Sequence, residues 1–363
     1  MKIKTSILSV AAFAAGSLFT QADWVKFSDD ASRIIVEAEG IDSLESVSSV
    51  AFKIDGKWQR ISQKGWSVSQ PLQVTTGTTP FGDAEINKVS YSRDNFPYTY
   101  TLTLKRLKNI KAFTLQGVLH NKSDAGITLH SFDLFDSQKG PGGSFNVANP
   151  SDWLITPLMM DKPAETLDVM NGSFNEVAAL YNKSGQGFLV GPVGPAEAYC
   201  GVVLREQAVI ASANMDGILV RPGESRRSEE MILCFESIDT ATDIWTRWVA
   251  ATHGVRRNKG AIYGWCSWYD RTTKIDAEHV LNVTKIIGEN KNTFGEGIIQ
   301  IDDGYQKMDG DWSANEKFPQ GMASVAKTIR ESGNIPGVWF APLMINPEHP
   351  WAKENPEAIQ TNA

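Results

Sequence analysis

The hydrophobic period changes once along this chain, near residue 237, and that change limits the fold more than any other feature. From Trp24 to about Glu236 apolar and polar residues alternate, most clearly in Tyr98-Thr-Tyr-Thr-Leu-Thr-Leu104. Period two is the mark of a strand with one buried face. Further β-rich stretches of strand length occupy residues 33–38, 49–54, 127–135, 199–204, 207–211 and 231–235. Turn-forming clusters separate them, as at Thr78-Thr-Pro-Phe-Gly82, Lys139-Gly-Pro-Gly-Gly143 and Arg221-Pro-Gly223. Many short strands with such punctuation predict an antiparallel sandwich over residues 23–236.

Residues 237–252 then read as a helix, with Ile244, Trp245, Trp248 and Val249 at helical spacing and Asp239 as the candidate cap. With residues 254–260, rich in basic side chains, this segment reads as a helical linker over 237–259. From residue 260 the order becomes strand, loop, helix, repeated. Strands are expected at 261–265, 297–301 and 336–341. A helix capped by Asp276 should run to Gly288 with Val280, Val283 and Ile287 inward. A second, over 321–332, should bury Met322, Val325, Ala326 and Ile329. Such βα units build parallel sheets. A (β/α)8 barrel takes about 250 residues, and 260–363 holds only about three units. The arithmetic therefore predicts the N-terminal part of a barrel, in a piece of a longer protein.

Residues 1–22 have the form of a secretory leader. Lys2 and Lys4 precede an apolar stretch from Ile7 to Phe19, and Ala22 supplies the small residue at the cleavage site. Export to the periplasm or the exterior is expected, with no membrane segment after cleavage. Acidic residues outnumber basic ones by 42 to 35, which speaks against a nucleic-acid partner. The three cysteines, Cys200, Cys234 and Cys266, form no C-x-x-C pair and no zinc motif. Pairing of Cys200 with Cys234 is open on spacing alone. Asn121-Lys-Ser and Asn282-Val-Thr fit a glycosylation pattern too common to weigh. No cofactor or metal motif is present.

Chemistry concentrates at the expected strand ends. The second strand runs into Gln300-Ile-Asp302-Asp303-Gly304-Tyr305, the first into Gly264-Trp-Cys-Ser-Trp268-Tyr-Asp270, and the third into Trp339-Phe-Ala-Pro342. Barrel enzymes place their sites at the C-terminal ends of parallel strands. Indoles offer platforms for the apolar faces of a pyranose, and carboxylates accept from its hydroxyls. Eleven tryptophans suit this use and also suit a large core. Asp302 and Asp303 are poor candidates for a nucleophile and acid pair. Adjacent strand residues point to opposite faces, and a retaining pair must face across the sugar at about 5–5.5 Å. They are better suited to gripping hydroxyls. His279 reads as a solvated side chain and Cys266 as a buried thiol.

These motifs, together with Gly310-Asp-Trp312 and Asn315-Glu-Lys-Phe-Pro319, occur in the order of the α-galactosidases of glycoside hydrolase family 36, which the chain resembles over about residues 255–350. The upstream half is similar to that family's β-supersandwich in pattern and length. The resemblance implies a retaining α-galactosidase acting on α-galactoside oligosaccharides, with Asp302 and Asp303 on the 4- and 6-hydroxyls and Trp268 and Trp339 lining the site. The family's nucleophile and acid/base fall at positions expected beyond residue 363, so no catalytic residue is assigned and the chain as given is expected to be inactive. Tyr305 stands where the family usually has Trp, and the loop 343–351 is shorter than usual. Transfer of the raffinose-synthase type, α-N-acetylgalactosaminidase activity, and a non-catalytic exported carbohydrate-binding protein are the alternatives.

Overall fold

A computed structural model describes residues 24–138, 142–157, 165–166, 171–194, 198–205, 208–255 and 263–359. The expected leader, residues 1–22, and most of the 254–260 segment lie outside them. The chain divides into two compact units, Met1–Arg256 and Arg257–Ala363.

The first unit is built from two antiparallel sheets, of nine and ten strands among the described residues. Long neighbouring strands carry most of the larger sheet: Ser67–Thr79, Gly82–Arg93, Phe96–Leu107 and Ala112–Asn121, paired in that order. Alternation works as the sequence predicts. Tyr98, Tyr100, Leu102 and Leu104 point inward to meet Phe52, Leu129 and Phe132 from the other sheet. Tyr100 stacks at a tilt on Phe132, with ring centroids 6.2 Å apart, and its hydroxyl lies 2.5 Å from Ser48 Oγ. A buried phenol needs such a partner. Several strands outrun their predicted bounds. The stretch expected at 207–211 extends over Ala208–Val220, and two register shifts against Ile127–Asp136 explain why its alternation is broken.

The helix Ile238–His253 belongs to this unit. Ser237, not Asp239, caps it, because the Ser237 side chain accepts from the Thr240 N–H. Ala241, Ile244 and Trp248 are buried against Leu189, Ile232 and Cys234, and Trp245 Nε1 donates to the Pro192 carbonyl at 2.8 Å. Cys200 and Cys234 are free buried thiols. Burial pushes each up to about 12. Asn121 is also buried, and its amide donates to the carbonyls of Ala125, Val220 and Arg221, so it is a structural side chain rather than a glycan acceptor.

The second unit holds a three-stranded parallel sheet: Gly264–Cys266, Ile298–Ile301 and Ile335–Val338, with the second strand in the middle. The helices Ala277–Glu289 and Gly321–Glu331 connect them. Asp276 caps the first helix by accepting from the His279 N–H at 2.8 Å. Ile299 and Ile301 face the helices and pack with Val280, Val325 and Ile329. Burying each such side chain is worth roughly 1.5–3 kcal/mol. Thr284, not Val283, completes the buried stripe of the first helix, its hydroxyl satisfied by the Val280 carbonyl. The third strand ends at Val338 rather than 341. Trp339 N–H still donates to the Ile301 carbonyl, after which the chain turns at residues 342–343. Pro336 sits on this outer strand, where a missing N–H is tolerated. These strands and helices alternate as βα units.

Candidate functional site

Register places Cys266, Gln300 and Gly337 in one row across the parallel sheet. Residues of one strand alternate faces. Gln300 therefore lies opposite the helix-facing pair Ile299 and Ile301. Beyond the strand ends the chain carries Trp268, Asp302, Asp303 and Trp339 to the same place. They line a pocket of about 500 Å3 together with Cys266, Tyr269 and Gln300. That size falls within the roughly 300–1,000 Å3 of small-molecule sites.

The two carboxylates are held differently. Gln300 Nε2 donates to Asp302 Oδ2 at 2.8 Å, and the Cys266 thiol donates to the same oxygen at 3.3 Å. Asp302 Oδ1 accepts from the Asp303 N–H at 2.9 Å. The Ser267 hydroxyl accepts from the Asp302 N–H at 2.8 Å, which pins the backbone as well. Burial pushes the Cys266 thiol up, so it stays protonated and donates. Asp303 accepts from Gln306 Nε2 through Oδ1 at 2.6 Å. Its Oδ2 has no protein partner among the described residues. A carboxylate oxygen left in this way, on a side chain already fixed by another bond, is a prepared hydroxyl acceptor.

Both aspartates reach one pocket because the strand ends at Ile301, so strict alternation no longer separates them. Gly304 makes that turn. Its φ is +110°, and a Cβ there would stand 2.6 Å from the Thr273 carbonyl oxygen. Asn315 closes the turn by donating to the carbonyls of Gly304 and Gln306.

The aromatic residues divide into platforms and supports. Trp268 opens a one-turn helix, Trp268–Arg271, rather than ending the strand, and is 40% exposed. Trp339 is half-buried and meets Trp312 edge-on at 6.0 Å. Trp312 belongs to a short hairpin, Gln306–Met308 with Asp311–Ala314, and so steadies the indole from outside the pocket. Tyr305 is buried in the helix-side core and does not line the pocket. His279 is not simply solvated. Its Nε2 lies 2.6 Å from Asp270 Oδ2, on the helix beside Trp265.

The chain is 24% identical over 155 residues to alpha-galactosidase AgaA of Geobacillus stearothermophilus, a stretch covering 38% of this chain and 20% of that protein. A crystal structure of the same family 36 enzyme matches with a TM-score of 0.53 at 15% identity, over 97% of this chain and 54% of that one. The chain is similar to the N-terminal portion of glycoside hydrolase family 36 α-galactosidases. A variant of the Geobacillus enzyme in complex with raffinose also matches, with a TM-score of 0.53 at 15% identity, over 85% of this chain and 47% of that one. The chain thus spans about half the length of these family 36 structures. Its two antiparallel sheets match their N-terminal sandwich. No protein-family model matches the chain.

The sequence alone does not mark Gln300, Gln306 and Cys266 as the cradle of the aspartates. Gln300 carried a signal: it is two residues before Asp302, hence on the same face. The Cys266 contact depends on register between strands and had none.

Proposed function

We propose that the second unit is the galactose-recognising part of a retaining α-galactosidase-type barrel, acting on α-galactoside oligosaccharides. One observation carries the reading: Trp268, Asp302, Asp303 and Trp339, from three strand ends, line a single pocket. The indoles offer apolar faces to the ring. Asp303 Oδ2 and the remaining lone pairs of Asp302 accept from neighbouring hydroxyls, consistent with the 4- and 6-hydroxyl roles that the family resemblance implies. The two carboxylates of the pocket are neighbours in the chain, which suits gripping one edge of a sugar. Flanking an anomeric carbon needs a pair about 5–5.5 Å apart across it. The described pocket residues therefore bind the sugar, and cleavage needs further carboxylates.

Calorimetric titration of galactose and glucose into the full chain tests this. Galactose should bind at least tenfold more tightly than glucose, and Asp303→Asn and Trp339→Ala should each weaken galactose at least tenfold with circular dichroism unchanged. Equal binding of the two sugars, or no effect of both substitutions, sinks the assignment. Nitrophenyl α-galactoside should bind without turnover. Hydrolysis by the purified chain would show that the pocket holds its own nucleophile.

A further inference from the structure

The first unit carries a concavity of its own, about 930 Å3 in volume, on the outer face of the ten-stranded sheet. Tyr91 and Tyr100 point into the core, so Ser90, Thr99 and Thr101, their neighbours in the chain, face outward. The ladder here is irregular. Register shifts occur at Val68/Gln70 and Gln70/Gln73 on one side and at Tyr91/Arg93 on the other. Such irregularities bend strands and hollow the face.

Hydroxyls floor the hollow in a continuous chain. Ser90 Oγ is 2.9 Å from Thr101 Oγ1, which is 3.2 Å from His120 Nε2, and His120 Nδ1 is 2.8 Å from Ser225 Oγ. Phe96 adds a half-buried aromatic side chain to the wall. The rim carries Lys88, Arg93 and Lys122 against one carboxylate, Asp94. Elsewhere on this sheet cations are matched, as in Lys105 with Glu230 and Arg106 with Glu85. The three rim cations have no side-chain hydrogen bond or ion pair among the described residues. A protein with formal charge −7 has thus gathered unmatched positive charge over one concave polar floor. Like charges held close repel, and a bound anion relieves that cost. Burial first, and then Lys122 and Lys88, hold the His120 imidazole below its usual range.

We propose that this face binds a sugar bearing an oxyanion, a carboxylate or a sulfate, with the lysines and Arg93 on the charged group and the Ser90–Thr101–His120 floor on the ring hydroxyls. A concave floor with alternating donors and acceptors fits a small polyhydroxylated ligand better than a flat macromolecular surface. The site is independent of the pocket in the second unit.

Glucuronate, glucose 6-sulfate and glucose titrated into the full chain by calorimetry test the proposal. These are gluco-configured, which keeps the galactose pocket out of the readout. At least one charged sugar should bind tenfold or more tightly than glucose, and which one does tells carboxylate from sulfate recognition. Its affinity should fall with added salt and drop at least tenfold in Lys88→Gln/Lys122→Gln. The Lys88→Arg/Lys122→Arg variant keeps the charge and should retain binding, which separates loss of charge from loss of fold. Saturation with the bound sugar should also raise the pH midpoint of the His120 ring signals in NMR. Failure of both charged sugars to bind at 10 mM, binding equal to glucose, or affinity indifferent to the Gln substitutions overturns the proposal. A His120 titration unmoved at saturation overturns the placement on this floor.

Discussion

The two units use their sheets in opposite ways. In the first, strands of 10 to 13 residues lay apolar side chains against a second sheet, and Tyr100, Phe113, Phe132 and Leu129 are fully buried. In the second, strands of three or four residues bury one face under helices and give the other to Cys266 and Gln300. A face filled with interlocking apolar groups has no room for a ligand. A face that carries polar groups held by hydrogen bonds does. In the second unit the pocket therefore lies at strand ends beyond the packed region, where alternation lapses and two adjacent aspartates share it; in the first unit only the sheet face turned away from the core is left for polar groups.

Substitutions can break or sharpen this contrast. Phe132→Ala, deep between the sheets, should cost the first unit about 3–5 kcal/mol, read as a lower urea midpoint in the tryptophan and far-ultraviolet signals of the sandwich. Galactose binding at the surviving second unit should persist until that unit melts. Loss of both together would mean that one cooperative core governs the whole chain. Gly304→Ala should act the other way round. Backbone strain at positive φ and the contact with Thr273 together cost on the order of 1–3 kcal/mol, and galactose affinity should fall at least tenfold while the melting of the sandwich is unchanged.

Gln300→Leu is milder. It leaves Asp302 Oδ2 with the Cys266 thiol alone, at a cost of about 1–3 kcal/mol for the lost donor. A several-fold loss of galactose affinity with an intact fold is expected, and unaltered affinity would show that Asp302 needs no cradle. The cysteines separate the units chemically. Iodoacetamide at pH 8 should label the half-buried Cys266 slowly and leave Cys200 and Cys234 untouched until denaturant is added. Rapid labelling of either buried thiol in the native state would contradict the closed sandwich.

The smallest effect is alkaline. Cys200 and Cys234 are raised from 9.0 to about 12 in the folded chain. The unfolded chain therefore releases these protons first, so their contribution is full below pH 9 and is lost as pH rises toward 12. Burial shifts Tyr91, Tyr100 and Tyr181 in the same direction. The urea midpoint of the sandwich should decline across that window, and more gently in Cys200→Ala/Cys234→Ala. A midpoint flat from pH 9 to 11 would count against the buried thiols.

Much of this was legible in the chain. The run from Tyr98 to Leu104 announced a half-buried strand, Asp276 a helix start, and the βα order a parallel sheet. Ser237 and Asp239 are both good cap residues, and only the geometry chooses Ser237 over Asp239. The 67–79 strand leaves no clear signal in the sequence. It is exposed along most of its length, and Pro71 and two register shifts blur its pattern. The basic face has no local signature, because Lys88 and Arg93 lie on Gly82–Arg93 while His120 and Lys122 lie at and just past the end of Ala112–Asn121, with another strand between them.

By itself the sequence determined two periodicities, their order, and the strand ends at which acids and indoles would fall, because each of these is written within a few consecutive residues. Only the tertiary structure decided that Cys266 meets Asp302 across 36 residues, that one Asp303 oxygen has no protein partner among the described residues, and that three cations share a hydroxyl floor. Those facts depend on register between strands, and register is set by packing over the whole sheet rather than by any local stretch of chain.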